Sequence, residues 1–327
     1  MRKQRKRLYA ALLCSSMVLS LVSTPVSAAE TGQLTNPPTS TEGPGSPESA
    51  SGNEAAAVLN GLSVLAANGE AEVTTASELT GALADSSISR ITLTGDIDIG
   101  STLTVNRTVT LDLNGCVLKM TGSDSVIKVA ADGDLTIQDR NTTTQHKFNP
   151  HCKYLTWYID MWELDNGGSE IVSGGVITGG GGDQSDGGGV LVAGGTLVMA
   201  GGNIVGCSAT SRGGGVCNKG TFIMSDGMIK GCTSPDGQYA SGGGVRNSNQ
   251  FTMTGGTIGD PTNPNDASSV YNTSSQRVIL TICDNAKIYT NVTNVGILNA
   301  DGGEIAGTMT NDTNEYGSGT ITGSAGA

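Results

Sequence analysis

The chain has 327 residues, of which 49 are Gly, and it is strongly acidic, with 30 Asp and Glu against 18 Lys and Arg for a net charge of −12. That balance disfavours nucleic acid and anionic membrane surfaces as partners. Aromatic residues make up only 4% of the chain, so any local concentration of them is informative.

The first element in chain order is a secretory signal, expected over residues 1–28. Arg2 to Arg7 is the charged region, Leu8 to Val22 the apolar region, and Val26-Ser27-Ala28 a small-residue cleavage site. The apolar run is Ser-rich and shorter than the roughly 20 residues that span a bilayer. Leu13 precedes Cys14, which argues against a lipid anchor. Cleavage would leave 13 basic residues against 30 acidic ones, a net charge of −17. Residues 29–55 form a Pro/Ser/Thr/Gly linker with no apolar period.

Residues 56–90 are expected to be an N-terminal cap. Thr75-Ala-Ser-Glu78 has capping-box spacing, and Leu79 and Leu83 share one helical face. A short amphipathic helix there would cover the first open coil of a stacked repeat and protect its exposed strand edges.

From residue 91 to 320 the chain repeats a phrase. Gly187-Gly188-Gly189-Val190 precedes Thr196-Leu-Val-Met199, Gly213-Gly214-Gly215-Val216 precedes Thr221-Phe-Ile-Met224, and Gly242-Gly243-Gly244-Val245 precedes Gln250-Phe-Thr-Met253. Each phrase continues through a corner to Ile204, Ile229 or Ile258. Alternation over four or five residues marks short strands, and repeats of this period bury their apolar residues only by stacking. Leu197, Phe222 and Phe251 should therefore form one interior column. Met199, Met224 and Met253 should form a second, and Ile204, Ile229 and Ile258 a third, with coils ~4.8 Å apart. The corner is expected at Gly201, Asp226 and Gly255 in the left-handed region. Gly174 to Gly179 and Leu298 to Gly307 extend the pattern. Val109 to Gly115 and Leu135 to Ile137 extend it upstream with a step of 24. Asp98, Asp112, Asp134 and Asp139 alternate with core positions and read as outward. About nine turns would make a rod roughly 40 Å long. Residues 321–327 are a ragged end with the pattern still running, which suggests a fragment.

The run Val109 to Gly115, the Gly-Gly-Gly-Val blocks and the Thr-Phe-Ile-Met-Ser-Asp-Gly-Met-Ile phrase resemble the right-handed parallel β-helix of the pectin-lyase-like superfamily. More narrowly, they resemble Gly-rich surface proteins of Gram-positive gut bacteria. The resemblance covers about residues 75 to 310. It implies an all-β, right-handed parallel β-helix solenoid with a short N-terminal capping helix. It leaves activity open, because lyases, hydrolases, esterases and adhesins share that fold.

Six cysteines survive signal cleavage: 116, 152, 207, 217, 232 and 283. Cys207 and Cys232 sit three residues after equivalent Ile positions and should stack as a ladder of small residues. No Cys-x-x-Cys pair suggests zinc. Paired carboxylates of the kind that glycoside hydrolysis needs are not evident. Nor is the superfamily's polygalacturonase signature, so no catalytic residue is assigned. Asp183 and Asp186, in a Gly-rich turn, are the closest approach to a calcium site, and a solvated turn is the expected state.

Residues 141–173 interrupt the repeat and hold both Trp residues, Trp157 and Trp162, with Phe148, Tyr154 and Tyr158. They form either a flap whose aromatics pack on the coil or a platform that stacks on sugar rings. As a strand, the segment would put Tyr158, Asp160 and Trp162 on one face and Trp157 on the other. These four are the candidate glycan-binding residues. The expected protein is secreted or surface-displayed and non-catalytic, binding glycan or host matrix. The alternatives are a polysaccharide lyase or glycoside hydrolase, and a structural spacer of a larger surface protein.

Overall fold

A computed structural model describes residues 69–154, 157–181, 186–234, 242–262, 269–273, 277–311, 313–314, 317–318 and 320–326, with the side chains of 151–160 and of 312 onward outside that description. All described residues lie in one compact unit, Ser51–Ala327. The signal, the linker and Asp183 fall outside the described residues.

Almost every element is a short strand, and the strands of successive coils pair in parallel. One path of ten strands runs from Glu70–Val73 through Thr108–Asp112, Thr196–Val205 and Thr221–Lys230 to Thr320–Gly326. At the ~4.8 Å strand spacing, that path is roughly 43 Å long. A second face joins it, built from Ile97–Ile99, Val117–Met120, Val176–Thr178 and the distal halves of the long strands. The third face is a separate sheet of eight strands, from Leu103–Val105 to Met309–Asn311. This is a parallel β-helix.

The interior columns form as the repeat predicts. Leu197, Phe222, Phe251, Leu280 and Leu298 are paired in one file, and Met199, Met224, Met253 and Ile282 in the next. Ile177, Ile204, Ile229, Ile258 and Ile288 make the third. Met224 and Ile229 are 0% exposed. The Phe222 and Phe251 rings stack with centroids 4.5 Å apart and 9° between planes. The helix Ala76–Ala84 has Thr75 as its N-cap in a complete capping box with Glu78, and it buries Leu79, Ala82 and Leu83. The sheet begins before it, because Glu70–Val73 already pairs with Arg90–Leu93. The sheet thus starts inside the span expected to be cap alone.

Three expectations need correction. The left-handed corner lies one residue later than predicted, at Gly202, Gly227 and Gly256 (φ +76°, +89° and +77°). There a Cβ would be forced against the neighbouring coil, 2.3 Å from the Gly202 carbonyl oxygen in the case of Gly227. Second, Leu135 pairs with Val109 and Ile137 with Leu111, a step of 26 rather than 24. Without a Gly-Gly-Gly-Val block in those coils, apolar alternation alone fits registers two residues apart equally well. Third, Asp112 is fully buried. It takes hydrogen bonds from the Gln138 side chain (2.8 Å) and the Asn114 backbone N–H (3.0 Å), and it pairs with Arg140. Strand alternation fails there because the chain turns at Asn114, which has φ +48°. Asp134 and Asp98 are exposed as expected, while Asp139 is half-buried.

A feature that the apolar repeat does not predict fills one corner of the third sheet. Asn218, Asn247, Asn272 and Asn294 are buried on successive coils. Each Nδ2 donates to the Oδ1 of the next, at 2.8 Å, 2.8 Å and 2.7 Å, and Asn294 donates to Asn311 at 2.8 Å. The second amide hydrogens of Asn218, Asn247 and Asn272 go to the main-chain carbonyls of Gln250, Ile279 and Ile297. Cys207 and Cys232 sit at equivalent buried places as thiols, with main-chain carbonyls of the preceding coil within reach.

Candidate ligand cleft beside the aromatic insertion

The insertion is a small antiparallel sheet with Gln145–Tyr154 in the centre, flanked by Trp157–Leu164 and Glu170–Ser173. Asp165 shapes its hairpin turn by accepting from the Gly167 N–H at 2.9 Å. One carboxylate ties the insertion to the coil. Asp139 accepts from Gly115 N–H and Gly175 N–H, both at 2.7 Å, so it binds the coil beneath and the strand to which the chain returns.

Phe148, Trp162 and Val172 pack on Val117, Val176 and Val205, which would otherwise be an apolar patch on the outer face of the second sheet. Phe148 and Trp162 have ring centroids 6.4 Å apart. Trp162 is 1% exposed and lies across the corners of two coils. Its backbone N–H donates to the Gly231 carbonyl at 3.0 Å. A Cβ on Gly231 would lie 2.2 Å from Trp162 Cγ, and one on Gly206 would lie 2.0 Å from the Trp162 carbonyl oxygen. Only glycine at those two corners lets the strand dock. Lys230 Nζ sits 4.1 Å from the Trp162 ring centroid and 3.1 Å from Asp260 Oδ2, with both charged residues buried. The sequence signal for this was an odd one out: Lys230 stands where the neighbouring coils have Val205 and Gly259.

Trp162 is therefore packed into the flap, not held open as a stacking platform. Trp157, Tyr158 and Asp160 lie on the same strand, with side chains outside the described residues. Asp186 is half-buried and paired with Lys219 Nζ at 2.8 Å, and its candidate partner Asp183 lies outside the described residues. Among the described residues no cluster of three potential ligands could hold a metal ion.

Between the strand Trp157–Leu164 and the second face lies an open cleft of about 450 Å³. Its floor is Met120, Thr178 and the Gly179–Gly181 backbone, with Lys119 and Ser208 on the coil side and Met161 and Glu163 on the flap side. The volume falls within the range of small-ligand sites, although the lining is largely glycine backbone and the cleft is open to solvent. Glu163 is the single carboxylate among these described lining residues, so the acid–base pair of a glycoside hydrolase is not assembled there. Neither Lys119 nor Ser208 is legible in the sequence as a lining residue, since nothing in the repeat marks which positions a flap will overhang.

Residues 70–173, which span the first coils and the whole insertion, match the family model described as "Putative pectate lyase-like adhesive domain". That match covers less than half of the chain, and the repeat-rich coils after it lie outside. No curated protein and no solved structure matches the chain. No helix among the described residues is long and apolar enough to cross a membrane.

Proposed function

We propose that this β-helix is a non-catalytic adhesive protein, secreted or displayed on the cell surface, that holds glycan or host matrix in the cleft beside its insertion. The observation that carries the reading is the overlap of two features. The stretch resembling an adhesive domain ends where the insertion ends, and that insertion forms one wall of the cleft. Met161 offers apolar surface to a sugar ring, while Lys119 and Glu163 offer hydrogen-bonding groups to its hydroxyls. Trp157, Tyr158 and Asp160, on the same strand, extend the proposed contact. Trp162 serves it from beneath by fixing the strand.

The test is a glycan array and matrix-protein panel probed with the secreted chain and with two variants, Lys119→Ala and Glu163→Ala, which remove the polar groups lining the cleft without touching the core. Selective binding that both variants weaken by about tenfold or more supports the reading. Uniform absence of binding to plant, mucin, cell-wall and matrix ligands would leave a structural spacer as the better description.

A further inference from the structure

Among the described residues the chain has two Asn-Gly steps, Asn114-Gly115 and Asn166-Gly167. Such a step is chemically weak, because glycine has no side chain to shield its nitrogen from the preceding asparagine amide. The two lie in opposite settings. Asn166 and Gly167 are both exposed, in the turn between the strands Trp157–Leu164 and Glu170–Ser173. Asn114 is half-buried and Gly115 buried, at a corner of the coil where both are left-handed, with φ of +48° and +77°.

The two groups that would react at Asn114 are held by different coils. Its Nδ2 donates to the Leu93 carbonyl on the coil before, at 3.0 Å, while the Gly115 N–H donates to Asp139 Oδ1 on the coil after, at 2.7 Å. The chain entering the insertion lies directly against the step. Asn141 Nδ2 donates to the Asn114 carbonyl at 3.4 Å, and His146 Nε2 donates to the Gly115 carbonyl at 3.0 Å. The fit is close enough that a Cβ on Gly115 would lie 2.5 Å from Thr144 Oγ1.

We propose that Asn114 is a modification site, a latent deamidation switch that the seated insertion keeps closed and that its lifting sets off. With Asp139 and His146 withdrawn, the Gly115 nitrogen is free to reach Asn114 Cγ. A bond forms between them, the Cγ–Nδ2 bond breaks, and the proton lost from the Gly115 nitrogen passes through solvent to the departing group, which leaves as ammonia. Water then opens the resulting succinimide at either carbonyl, giving aspartate or isoaspartate. Neither product lets the corner close again. Aspartate sets a carboxylate oxygen against the Leu93 carbonyl, two acceptors with no proton between them, beside the Asp112 carboxylate that takes the Asn114 main-chain N–H at 3.0 Å. Isoaspartate adds a methylene to the main chain and carries Gly115 out of register with Asp139 and His146. A local opening that is otherwise reversible becomes one-way. That the change would also loosen the hold on a ligand rests on the cleft reading above, because the insertion forms one wall of the cleft.

The experiment holds the full secreted chain at physiological pH and temperature and samples it by peptide-mapping mass spectrometry, which reads amide-to-acid conversion at each step. Wild type is compared with Asp139→Ala, which removes the tie at the step, and with Trp162→Ala, which loosens the insertion at its far side, where Trp162 meets Phe148 and Gly231. In wild type, Asn166 should convert at least about tenfold faster than Asn114. In both variants the Asn114 rate should rise about tenfold while the Asn166 rate holds, since conversion follows the open population. Unchanged hydrogen exchange in the helix Ala76–Ala84 shows that the coil stack is still folded, and if Asp139→Ala disturbs that helix, Trp162→Ala decides alone. Converted wild-type chain, separated by its extra negative charge, should exchange faster in Glu170–Ser173. Conversion of Asn114 at the Asn166 rate in wild type would overturn the proposal, as would an Asn114 rate that Trp162→Ala leaves unchanged. So would converted chain that exchanges in Glu170–Ser173 as wild type does. None of these measurements involves a ligand, so the switch and the adhesive reading can fail separately.

Discussion

At the scale of single residues, two buried polar arrangements govern how the coils are held together. Asn247 receives a hydrogen bond from Asn218 and gives bonds to Asn272 and the Ile279 carbonyl. Replacing it with Ala orphans groups on both neighbours, at about 1–3 kcal/mol for each buried group left unsatisfied. Asn247→Ala should therefore lower the denaturant midpoint far more than a surface Asn→Ala change such as Asn166→Ala, and equal shifts would refute the ladder's importance. Lys230 and Asp260 form the second arrangement. Burial alone raises the Asp260 carboxyl, but hydrogen bonds from Thr262 and the Lys230 charge together outweigh it, leaving the pKa below its ordinary value. A lowered carboxylate pKa stabilises the fold fully above the ordinary range, near pH 4, and the contribution vanishes as pH falls through the lowered value. Wild type should exceed Asp260→Asn in stability at pH 7, and the gap should narrow at pH 3. A gap that widens in acid would show the sign to be wrong.

At the scale of elements, the insertion is a clamp across the corners of the coil stack. Trp162→Ala would empty a buried site and uncover Val176 and Val205, a change that typically costs about 3–5 kcal/mol for a buried Trp. Differential scanning calorimetry should show a loss of several degrees, whereas an unchanged melting temperature would mean the ring is dispensable to the fold. The sequence exposed some of these elements and hid others for physical reasons. The Leu/Phe, Met and Ile files were readable because period-two alternation recurs with a Gly-Gly-Gly-Val marker that locks register. The capping helix was readable because Thr75 and Glu78 satisfy each other locally. The asparagine file is hidden from an apolar pattern even though Val216-Cys-Asn218, Val245-Arg-Asn247 and Val270-Tyr-Asn272 repeat its spacing, because the pattern tracks only hydrophobic residues. The burial of Asp112 and the identity of the corner glycine depend on where the chain turns, which alternation does not encode. The fate of Trp162 rested on Gly206 and Gly231, distant in sequence and unremarkable until the strand is seen crossing them.

At the scale of the whole molecule, every coil depends on its neighbours for burial, so damage spreads along the stack. Met224→Asp puts an unpaired carboxylate between Met199 and Met253, a burial that costs several kcal/mol. Hydrogen exchange should then accelerate together in the strands Thr196–Val205, Thr221–Lys230 and Gln250–Met253, while the capping helix stays protected. Exchange confined to one strand would argue against such coupling. A substitution such as Thr252→Ala, on the outward side of the same sheet, should leave all three strands unaffected.

The unequal coils also carry a mechanical signature. The Leu/Phe file advances by 29 residues from Phe222 to Phe251 and again to Leu280, but by only 18 from Leu280 to Leu298. Pulled along its axis, a solenoid of this kind peels one coil at a time, each releasing a thread of about 3.4 Å per residue. The force trace should therefore show steps of roughly 6 nm and roughly 10 nm in an order set by the chain. Such a staircase would dissipate load in instalments, one coil at a time, rather than in a single rupture.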